Sequence, residues 1–509
     1  MSAQIADAAK PEHFEVLIVG AGISGIAAAY HLRRDAPQRS FVILDAEASF
    51  GGTWRTNRFP GIRSDSDLYT FGYGFKPWSG PPIATGAEIL NYLSEAVDEN
   101  DLRRHMRFGH RVADARWSSE AGLWTVIAET ADGGVRVFTG RFLFMCQGYF
   151  RHREGHMPDW PGKADFAGRL VHAQEWPDDL DLAGKKVVVV GSGATAATIV
   201  PNIAETCAET TLLQRSPTYF AYADNSNELA DRLRALKVDE AWIHEIVRRD
   251  ILAQEAALAD SCRDTPDEVR AELLAAVEAI VGPEITRAHF SPSYRPWRQR
   301  LAFLPNADML HAIRAGRAAM VTDEIERFVP DGVLLKSGRT LAADVVIAAT
   351  GFNMNVFGDI AFTVDGAPFD IASSVGYRGM MFSGLPNLAW VFGYFRSSWT
   401  LRSDLLAQFV IRLLEHLDAR GANWVEVSPP SDVDRLPRRP WIDPENFNPG
   451  YLTRALPQLP RSLDHPEWRH SQDYLADKEA FPAIDLDGPA FRYDGQAAAQ
   501  VLRASSETV

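Results

Sequence analysis

The stretch FEVLIVGAGISGIAAAYHL, residues 14–32, decides the fold. Its apolar residues 16–19 run directly into a glycine, as in a parallel strand that is buried on both faces. Gly20, Gly22 and Gly25 then form a GxGxxG pattern, and a segment with helical periodicity follows. Glycines at this spacing permit a tight turn and let the backbone approach a pyrophosphate, which the N–H groups at a helix N-terminus bind. The stretch therefore predicts a strand, a phosphate-binding turn and a helix.

An acidic residue ends the next predicted strand, FVILD at residues 41–45. Asp45 follows Gly25 by twenty residues, where a carboxylate accepts hydrogen bonds from ribose hydroxyls. Strand, turn, helix and acid together predict a dinucleotide-binding module, in which Ser24 also contacts the cofactor.

The same construction recurs in KKVVVVGSGATAATIVPNIA, residues 185–204. Gly191 and Gly193 match the first two glycines, and Ala196 takes the third position, a variant that the pattern allows. The next predicted strand, TLLQR, ends in Arg215 instead of an acid. A cation there pairs with a ribose 2′-phosphate, although an unliganded surface arginine is the alternative. We predict FAD in the first module and NADPH in the second, whose cradle also includes Ser192, Ala194, Thr195 and Ser216.

The composition excludes several classes of protein. The chain has 509 residues, 46% hydrophobic and 23% charged, which favours a globular protein of two or three domains. Its net charge of −15 argues against binding to nucleic acid or anionic lipid. Cys146, Cys207 and Cys262 are too far apart for a zinc cluster or a disulfide framework. With neither a signal peptide in residues 1–15 nor a membrane-length apolar run, we expect a cytoplasmic protein without a metal site.

The predicted fold is α/β, with two Rossmann-like domains and the second inserted into the first. A third buried strand, ADVVIAATGF at residues 343–352, is interpreted as the return of the chain to the first domain. The predicted segments are residues 1–150 (FAD domain, first part), 151–180 (linker), 181–224 (NADP domain, first part), 225–290 (helical insertion), 291–342 (NADP domain, second part), 343–440 (FAD domain, second part) and 441–509 (an irregular C-terminal extension).

The insertion is predicted from helical periodicity with many charges, at residues 228–250 and 265–282. Thr265 is predicted to cap the second of these helices, and Gly282 to end it. We interpret the insertion as helices with solvated faces. A role in a substrate tunnel or a dimer contact is the alternative.

The linker contains FAGRLVHAQEWP at residues 166–177, whose spacings fit neither a helix nor a strand. Phe166, Gly168, His172 and Trp176 in this stretch resemble the FxGxxxHxxxW fingerprint of the type I Baeyer–Villiger monooxygenases, which are class B flavoprotein monooxygenases. Taken alone, a histidine and a tryptophan in a linker are structural. We predict that His172 hydrogen-bonds across the linker, that Trp176 anchors it, and that both tune domain motion without acting as catalysts.

A second signature carries the same resemblance. GGTWRTNRFPGIRSD, residues 51–65, is similar to the family motif GGxWxxNRYPGxxxD, with Phe59 in place of the usual tyrosine. SDSDLYTFGYGFKPW (64–78), YRPWRQRLAFLPNADML (294–310) and SSWTLRSDL (397–405) look closest to the branch that contains the ethionamide-activating monooxygenases. The acidic insertion fits that branch less well.

The resemblance implies a reaction. NADPH would reduce FAD, reduced FAD would add dioxygen at C4a, and the peroxyflavin would insert one oxygen atom next to a ketone carbonyl to give an ester or lactone. Sulfides would be oxidised as a side activity. An anionic peroxide needs a fixed cation, and Arg300 matches the active-site arginine of the family, with Arg298 as the fallback and Arg295 less favoured. Asp65 matches the acid that pairs with this arginine, and it would stay ionised there.

The motifs also imply further contacts with the cofactors. Arg63 and Ser64 are expected at the nicotinamide half of NADPH. Thr53, Trp54 and Val112 are expected along the FAD.

Three other positions stay open. Gln299 stands where some members of the family have a lysine that holds the 2′-phosphate, so Arg215 would hold it more alone. Gln147 stands where threonine or serine is commoner, and the sequence does not explain its effect. Trp399, within YFRSSWTLRSD at residues 394–404, is either a wall of the substrate pocket or a core residue.

Three other functions are weighed against this interpretation. A flavin-dependent N- or S-oxygenase shares both cradles, but its linker motif usually ends in Phe or Tyr where Trp176 stands, and it lacks the signature that ends at Asp65. A flavin disulfide reductase needs a cysteine pair close after the first cradle, yet the first cysteine is Cys146. A non-catalytic NADPH and flavin sensor would have no need of Asp65 and Arg300. Aliphatic, cyclic and aryl ketones all remain candidate substrates, and the oligomeric state is open.

Overall fold

The computed structural model describes residues 10–494. Residues 1–9 and 495–509, where the predicted first and last segments begin and end, lie outside the described residues.

The first module is built on the strand Glu12–Val19, which the opening stretch predicts. This strand pairs in parallel with Phe41–Leu44 on one side and with Val135–Met145 on the other. Residues 16–19 are at most 7% exposed, which explains why their apolar run is unbroken. In the described chain the whole sheet has nine strands, in the order Ala367–Pro368, Ala361–Val364, His110–Ser118, Leu123–Thr130, Val135–Met145, Glu12–Val19, Phe41–Leu44 and Met106–Arg107, with Leu388–Trp390 beside Val135–Met145.

The second module is a separate parallel sheet, whose strands lie between those of the first sheet along the chain. The second domain is therefore inserted into the first, as the sequence predicts. Its five strands have the order Ala319–Thr322, Glu209–Gln214, Lys186–Val190, Val345–Ala348 and Arg169–His172.

The interpretation of residues 343–352 as the return to the first domain is wrong. Val345–Ala348 pairs in parallel with Lys186–Val190 at the centre of the second sheet. A continuous apolar strand fits the middle of either parallel sheet, so its pattern does not reveal which sheet it joins. The chain rejoins the first sheet at Ala361–Val364, beyond the predicted boundary at residue 342.

Short sheets and helices cover these two layers. One small sheet has three strands, Ile325–Val329, Gly332–Leu335 and Thr340–Ala342. The two-stranded sheets are Phe220–Ala223 with Ala302–Pro305, Phe150–Gly155 with Phe352–Met354, Gly376–Tyr377 with Met381–Phe382, Val425–Val427 with Phe491–Tyr493, and Arg438–Pro440 with Arg461–Leu463. The helices outside the insertion are Ile23–Asp35, Thr53–Thr56, Leu68–Phe71, Gly86–Glu99, Ala194–Ile203, Asp308–Arg314, Trp399–Arg420, Gly450–Ala455 and Tyr474–Ala480. Between residues 10 and 494, the helices are too short or too polar to cross a membrane.

The insertion is helical, and its helices are Glu228–Ala235, Glu240–Asp264, Pro266–Val281 and Pro283–His289. Gly282 ends the third of these helices with φ +84°, as predicted. Thr265 lies at the N-cap position as predicted, with Asp267 and Glu268 in the first turn, but its side chain caps no N–H group of that helix. One residue separates the second and third helices, and the Thr265 hydroxyl instead donates to the Ser261 carbonyl in the preceding turn.

One face of the insertion packs against the first module. The buried Arg248 donates hydrogen bonds to the carbonyls of Tyr69 and Gly72 at the end of helix Leu68–Phe71, at 3.0 and 2.8 Å. These carbonyls have no partner within their own helix, so the guanidinium replaces the next helical turn. The opposite surface is solvated, but it exposes several large apolar side chains: Leu236, Trp242, Ile246 and Leu258.

The C-terminal extension is held on the core by a buried ion pair. Arg402, in helix Trp399–Arg420, is fully buried and donates a hydrogen bond to the carboxylate of Asp477. The hydroxyl of Tyr394 donates to the same carboxylate at 2.7 Å. Because both charges are removed from water, each depends on the other for its stability.

We predict that Asp477→Asn destabilises the protein strongly. The substitution leaves the buried Arg402 guanidinium without a counter-charge, which costs about 3–5 kcal/mol. The free energy of unfolding can be measured by tryptophan fluorescence in denaturant. Asp101→Asn is the control, because Asp101 pairs with Arg104 on the surface at 3.1 Å, and such pairs contribute about 1 kcal/mol or less. Equal losses in the two variants would contradict the prediction.

Candidate active site

The first cradle lies where Glu12–Val19 ends and helix Ile23–Asp35 begins. Gly20 has φ +102°, and a Cβ at this position would lie 2.7 Å from the carbonyl oxygen of Cys146. A Cβ on Gly25 would lie 1.9 Å from the carbonyl oxygen of Gly20. Both glycines are therefore required by the turn itself, which leaves the first N–H groups of the helix available to a phosphate.

Asp45 and Ser24 lie beside this cradle. The carboxylate of Asp45 accepts hydrogen bonds from the backbone N–H groups of Ala21, at 2.5 Å, and Glu47, at 2.8 Å. Burial raises the pKa of Asp45 above its usual range. The Ser24 hydroxyl lies 3.0 Å from that of Ser403, so its side chain is already engaged within the protein. Asp45 thus positions the turn and keeps lone pairs for a ribose.

Val112 is placed differently from these polar residues. It is 6% exposed on the strand His110–Ser118, in a core cluster with Val19 and Leu44. Any contact with the adenine half of FAD would be made by its backbone or by the edge of its side chain.

Gln147 gives a test of whether a cofactor fits this groove. Its Cα would lie 2.8 Å from a Cβ on Gly20, so it borders the cradle directly. Both polar atoms of its amide are buried and have no hydrogen-bond partner within residues 10–494. Buried amides are almost always hydrogen-bonded, so both atoms are free to bond a polar ligand that reaches them. The sequence singles out this residue but offers no reason for it.

The long signature begins against the same cradle. The backbone N–H of Gly51 donates to the carbonyl of Ala21 at 3.0 Å, and a Cβ on Gly52 would lie 3.2 Å from the Cα of Gly22. Thr53 and Trp54 start the short helix that follows, next to the predicted FAD groove. Their contact with FAD remains a prediction.

The same signature ends against the second module. A Cβ on Gly61 would lie 2.1 Å from the side-chain nitrogen of Asn202, in helix Ala194–Ile203. Arg63 forms an ion pair with Asp308, with Nη1 2.5 Å from Oδ2. Ser64 is buried, and its hydroxyl donates to the carbonyl of Ser66. The side chains of Arg63 and Ser64 are thus engaged within the protein, although both residues were predicted at the nicotinamide.

The second cradle has the same form. A Cβ on Gly191 would lie 2.3 Å from the carbonyl oxygen of Ala349, whereas a Cβ on Gly193 would meet no atom within 4 Å. The space beside Gly193 is therefore open to a ligand. Helix Ala194–Ile203 starts here, with Ala196 buried against the sheet and Ala194 and Thr195 in its first turn. Ser192 accepts a hydrogen bond from the hydroxyl of Thr218 at 3.0 Å.

Arg215 follows the strand Glu209–Gln214 and is exposed, as is Ser216. Within the described residues, the guanidinium of Arg215 has no carboxylate or hydrogen-bond partner. Gln299 is exposed as well. A free cation at this strand end is what a 2′-phosphate requires.

The linker fingerprint is a packed and hydrogen-bonded unit. Phe166 is buried and contacts Phe328 edge to face, and a Cβ on Gly168 would lie 2.4 Å from the carbonyl oxygen of Asp344. His172 Nε2 donates to the carbonyl of Gly351 at 3.0 Å, and its Nδ1 accepts from the N–H of Gln174. Burial lowers the pKa of His172, which keeps the ring neutral. Trp176 packs against the core of the second module.

Arg300 and Asp65 form an ion pair with one hydrogen bond. Arg300 Nη2 lies 3.0 Å from Asp65 Oδ1, and Arg300 Nε lies 2.9 Å from Oδ2. Their side chains are 35% and 33% exposed, so a ligand can reach the pair. The charge of Asp65 raises the pKa of Arg300. The fallback residues do not reach Asp65, because Arg298 pairs with Glu445 and Arg295 donates to Asn446.

Comparison with known proteins agrees with this geometry. Residues 18–87 match the model of the NAD(P)-binding Rossmann-like domains, and residues 79–223 match that of the flavin-binding monooxygenase-like proteins. The FAD-containing monooxygenase EthA of Mycobacterium tuberculosis (strain ATCC 25618 / H37Rv) is 42% identical to the chain, over 95% of this chain and 98% of that protein. The chain belongs to the FAD-containing monooxygenases.

Other relatives support the same conclusion. The probable FAD-binding monooxygenase AlmA of Acinetobacter baylyi is 40% identical over 95% of this chain and 96% of that protein. Solved structures at lower identity share the fold: a steroid monooxygenase bound to NADP has a TM-score of 0.74 at 23% identity, with 94% of this chain and 99% of that one covered. Cyclohexanone monooxygenase from Rhodococcus sp. Phi1, bound to NADP⁺, has a TM-score of 0.74 at 20% identity. The match covers 95% of this chain and 99% of that one. The predicted family, the α/β fold class and the prediction of a flavin monooxygenase are confirmed.

Two tyrosines that the sequence analysis missed complete the surroundings of Arg300 in this monooxygenase. The rings of Tyr149 and Tyr451 lie 6.2 Å apart, and the charge of Arg300 acts on both phenols. Burial raises the pKa of both phenols, so both are neutral at physiological pH. Tyr451 belongs to the C-terminal extension, which has no motif to indicate its place.

Trp399 connects this group to the first cradle. Its ring stacks on Tyr149, with centroids 5.0 Å apart, and its Nε1 donates to the Ser24 hydroxyl at 2.8 Å. The residue is partly buried and packs against two core clusters of the first module, as a core residue does. Its place in the wall of a substrate pocket remains a prediction.

Two further carboxyl groups, those of Asp67 and Glu255, lie near the segment that contains Asp65. Burial raises the pKa of Asp67 to about 7. It also raises the pKa of Glu255 to about 7, with a further contribution from the charge of Asp67. Glu255 comes from the insertion, and its buried Oε2 has no hydrogen-bond partner in the part of the chain that the structure describes. The insertion thus reaches the segment next to the active site, which its charge pattern did not indicate.

We predict that Gly25→Ala lowers the FAD content of the purified protein severely. The new Cβ collides with the backbone oxygen of Gly20, so the turn cannot close around a phosphate. FAD occupancy can be read from the ratio of flavin to protein absorbance.

Gly193→Ala is the matched control in the second cradle, where the new Cβ meets no protein atom. This variant should keep its FAD and bind NADPH more weakly. Full FAD occupancy in Gly25→Ala would show that the first turn does not form the flavin cradle.

Proposed function

We propose that this monooxygenase uses NADPH and dioxygen to insert one oxygen atom next to a ketone carbonyl, which yields an ester or lactone. The observation that carries the proposal is the pairing of Arg300 with Asp65. It supplies an oriented and accessible cation beside the predicted flavin groove. FAD, when bound and reduced by NADPH, supplies the oxygen chemistry, and the protein supplies position and charge.

Arg300 acts as the fixed positive charge of the site. Asp65 accepts a hydrogen bond from Nη2 and has its other carboxylate oxygen 2.9 Å from Nε, so the guanidinium is held at the carboxylate. The raised pKa of Arg300 keeps it protonated at any working pH. A cation that is oriented before the reaction stabilises negative charge on oxygen without reorganising. Tyr149 and Tyr451 add hydrogen-bonding hydroxyls beside it without adding negative charge.

The second cradle and Arg215 hold NADPH in this proposal. The open space at Gly193 lets the pyrophosphate approach the helix N-terminus, and Arg215 pairs with the 2′-phosphate. The fingerprint is packed on the second module: His172, at the end of the strand Arg169–His172, donates to Gly351, which follows the neighbouring strand Val345–Ala348. In this proposal the bond anchors the linker on the second module, and the fingerprint tunes domain motion from there.

We predict that Arg300→Met abolishes ester formation while FAD stays bound. Removing one preorganised donor of this kind costs about a hundredfold in rate or more. Cyclohexanone, phenylacetone and 2-decanone are incubated with enzyme, NADPH and air, and the products are analysed by gas chromatography. NADPH consumption and hydrogen peroxide are measured in parallel.

Arg298→Met is the control, because Arg298 pairs with Glu445 away from Asp65. Esters from the wild type and the control, but not from Arg300→Met, support the proposal. Oxidation of thioethers or amines without any ester would favour an N- or S-oxygenase. Flavin turnover with no oxygenated product would favour a non-catalytic sensor.

Arg215→Gln should weaken the preference for NADPH over NADH. The loss of a charge-assisted contact with the 2′-phosphate costs about 1.5–3 kcal/mol, which is about 10–100-fold in the KM for NADPH. The KM for NADH serves as the internal control, because NADH has no 2′-phosphate. Steady-state oxidation of each cofactor is followed by absorbance, and an unchanged ratio would mean that Arg215 is a surface arginine.

A further inference from the structure

A cavity lies between the loop before helix Trp399–Arg420 and the C-terminal extension. Its volume is about 690 Å³, and it is unrelated to the two glycine cradles. Sites for small organic molecules typically have about 300–1,000 Å³. Part of its wall is apolar: Phe395, Trp441, Ile442, Phe447 and Leu463.

The charges on the wall of this cavity do not balance. Arg439 lies near Asp464, with Nη2 3.9 Å from Oδ2. Asp443 uses one carboxylate oxygen to accept the N–H of Glu445 in a turn. The remaining wall cations are Arg396 and Arg469, and neither has a carboxylate partner within residues 10–494. Two unpaired guanidinium groups around one cavity are notable in a chain with a net charge of −15.

Arg396 is held in position without being neutralised. Its Nη2 donates to the backbone carbonyl of Asn446 at 3.0 Å, and the carbonyl of Trp297 lies at 3.4 Å. Burial lowers the pKa of Arg396, and the nearby charge of Arg295 lowers it further. A partly buried cation with only neutral partners is costly, although arginine stays protonated.

The aromatic wall has an unsatisfied donor as well. Trp441 is 2% exposed, and its Nε1 is buried without an acceptor in the described chain. Phe395 stacks on Phe447 with ring centroids 4.7 Å apart. On its other side, Phe395 lies 6.4 Å from the ring of Tyr149, so one aromatic layer separates the cavity from the active site.

We propose that this cavity binds an organic carboxylate with an apolar body. The carboxylate pairs with Arg396 and Arg469, and the hydrocarbon part packs on Phe395 and Phe447. Planar guanidinium groups bind carboxylates through paired hydrogen bonds. Two unpaired arginines and Asp443 leave the wall with one net positive charge. This matches the single negative charge of a carboxylate better than the two negative charges of a phosphate monoester. The proposal is independent of the ketone reaction.

The test is calorimetric titration of the FAD-loaded, full-length protein with octanoate, 1-octanol and octylammonium. We expect octanoate to bind, 1-octanol to bind about tenfold more weakly or worse, and octylammonium not to bind. Arg396→Gln and Arg469→Gln should each weaken octanoate binding about tenfold, as expected for the loss of one charge-assisted contact. Quenching of tryptophan fluorescence by octanoate provides a second readout, because Trp441 lines the cavity.

Arg249→Gln is the control, because Arg249 is an exposed residue of the insertion that pairs with Glu245. It should bind octanoate as the wild type does. Arg469 is exposed, so its replacement leaves the fold intact even if Arg396→Gln unfolds. The proposal fails if octanoate produces no heat, if 1-octanol binds equally well, or if Arg469→Gln retains full affinity.

Discussion

The segment of residues 51–65 is the physical link on which the site depends. It starts against the first cradle and ends in two ion pairs, Arg63 with Asp308 and Asp65 with Arg300. Gly61 lets it lie directly on a helix of the second module. One short stretch therefore touches both nucleotide modules, and it sets where the positive charge of the active site lies. Any movement of one module against the other must act on these contacts.

The rest of the site is built around that charge from distant parts of the chain. Tyr149 follows a strand of the first sheet, and Tyr451 comes from the C-terminal extension. Trp399 stacks on Tyr149 and donates to Ser24, at the start of the cradle helix. The extension and the insertion are both held against the first module by buried arginines that satisfy carbonyls or carboxylates.

The cradles and the linker combine rigid and adjustable elements. Gly20, Gly25 and Gly191 leave no room for side chains, and His172 bonds to Gly351 across the two neighbouring strands of its sheet. Gln147 and Arg215, in contrast, hold polar groups without a partner in the described chain. The buried amide of Gln147 costs free energy while it has no partner, and the exposed Arg215 is free to pair with an anion.

Local pattern determined much of this protein. Glycine spacing and strand-length apolar runs predicted both modules, because these features are written in contiguous residues. The pairing of Arg300 with Asp65 was implied only by the resemblance of two signatures to a known family. Only the tertiary structure decided that Val345–Ala348 joins the second sheet, that Tyr451 reaches Arg300, and that Glu255 meets Asp67. Sheet membership depends on hydrogen bonds between distant strands, and the environment of a titratable group depends on what packs over it. Neither is a property of the residues on either side in the sequence.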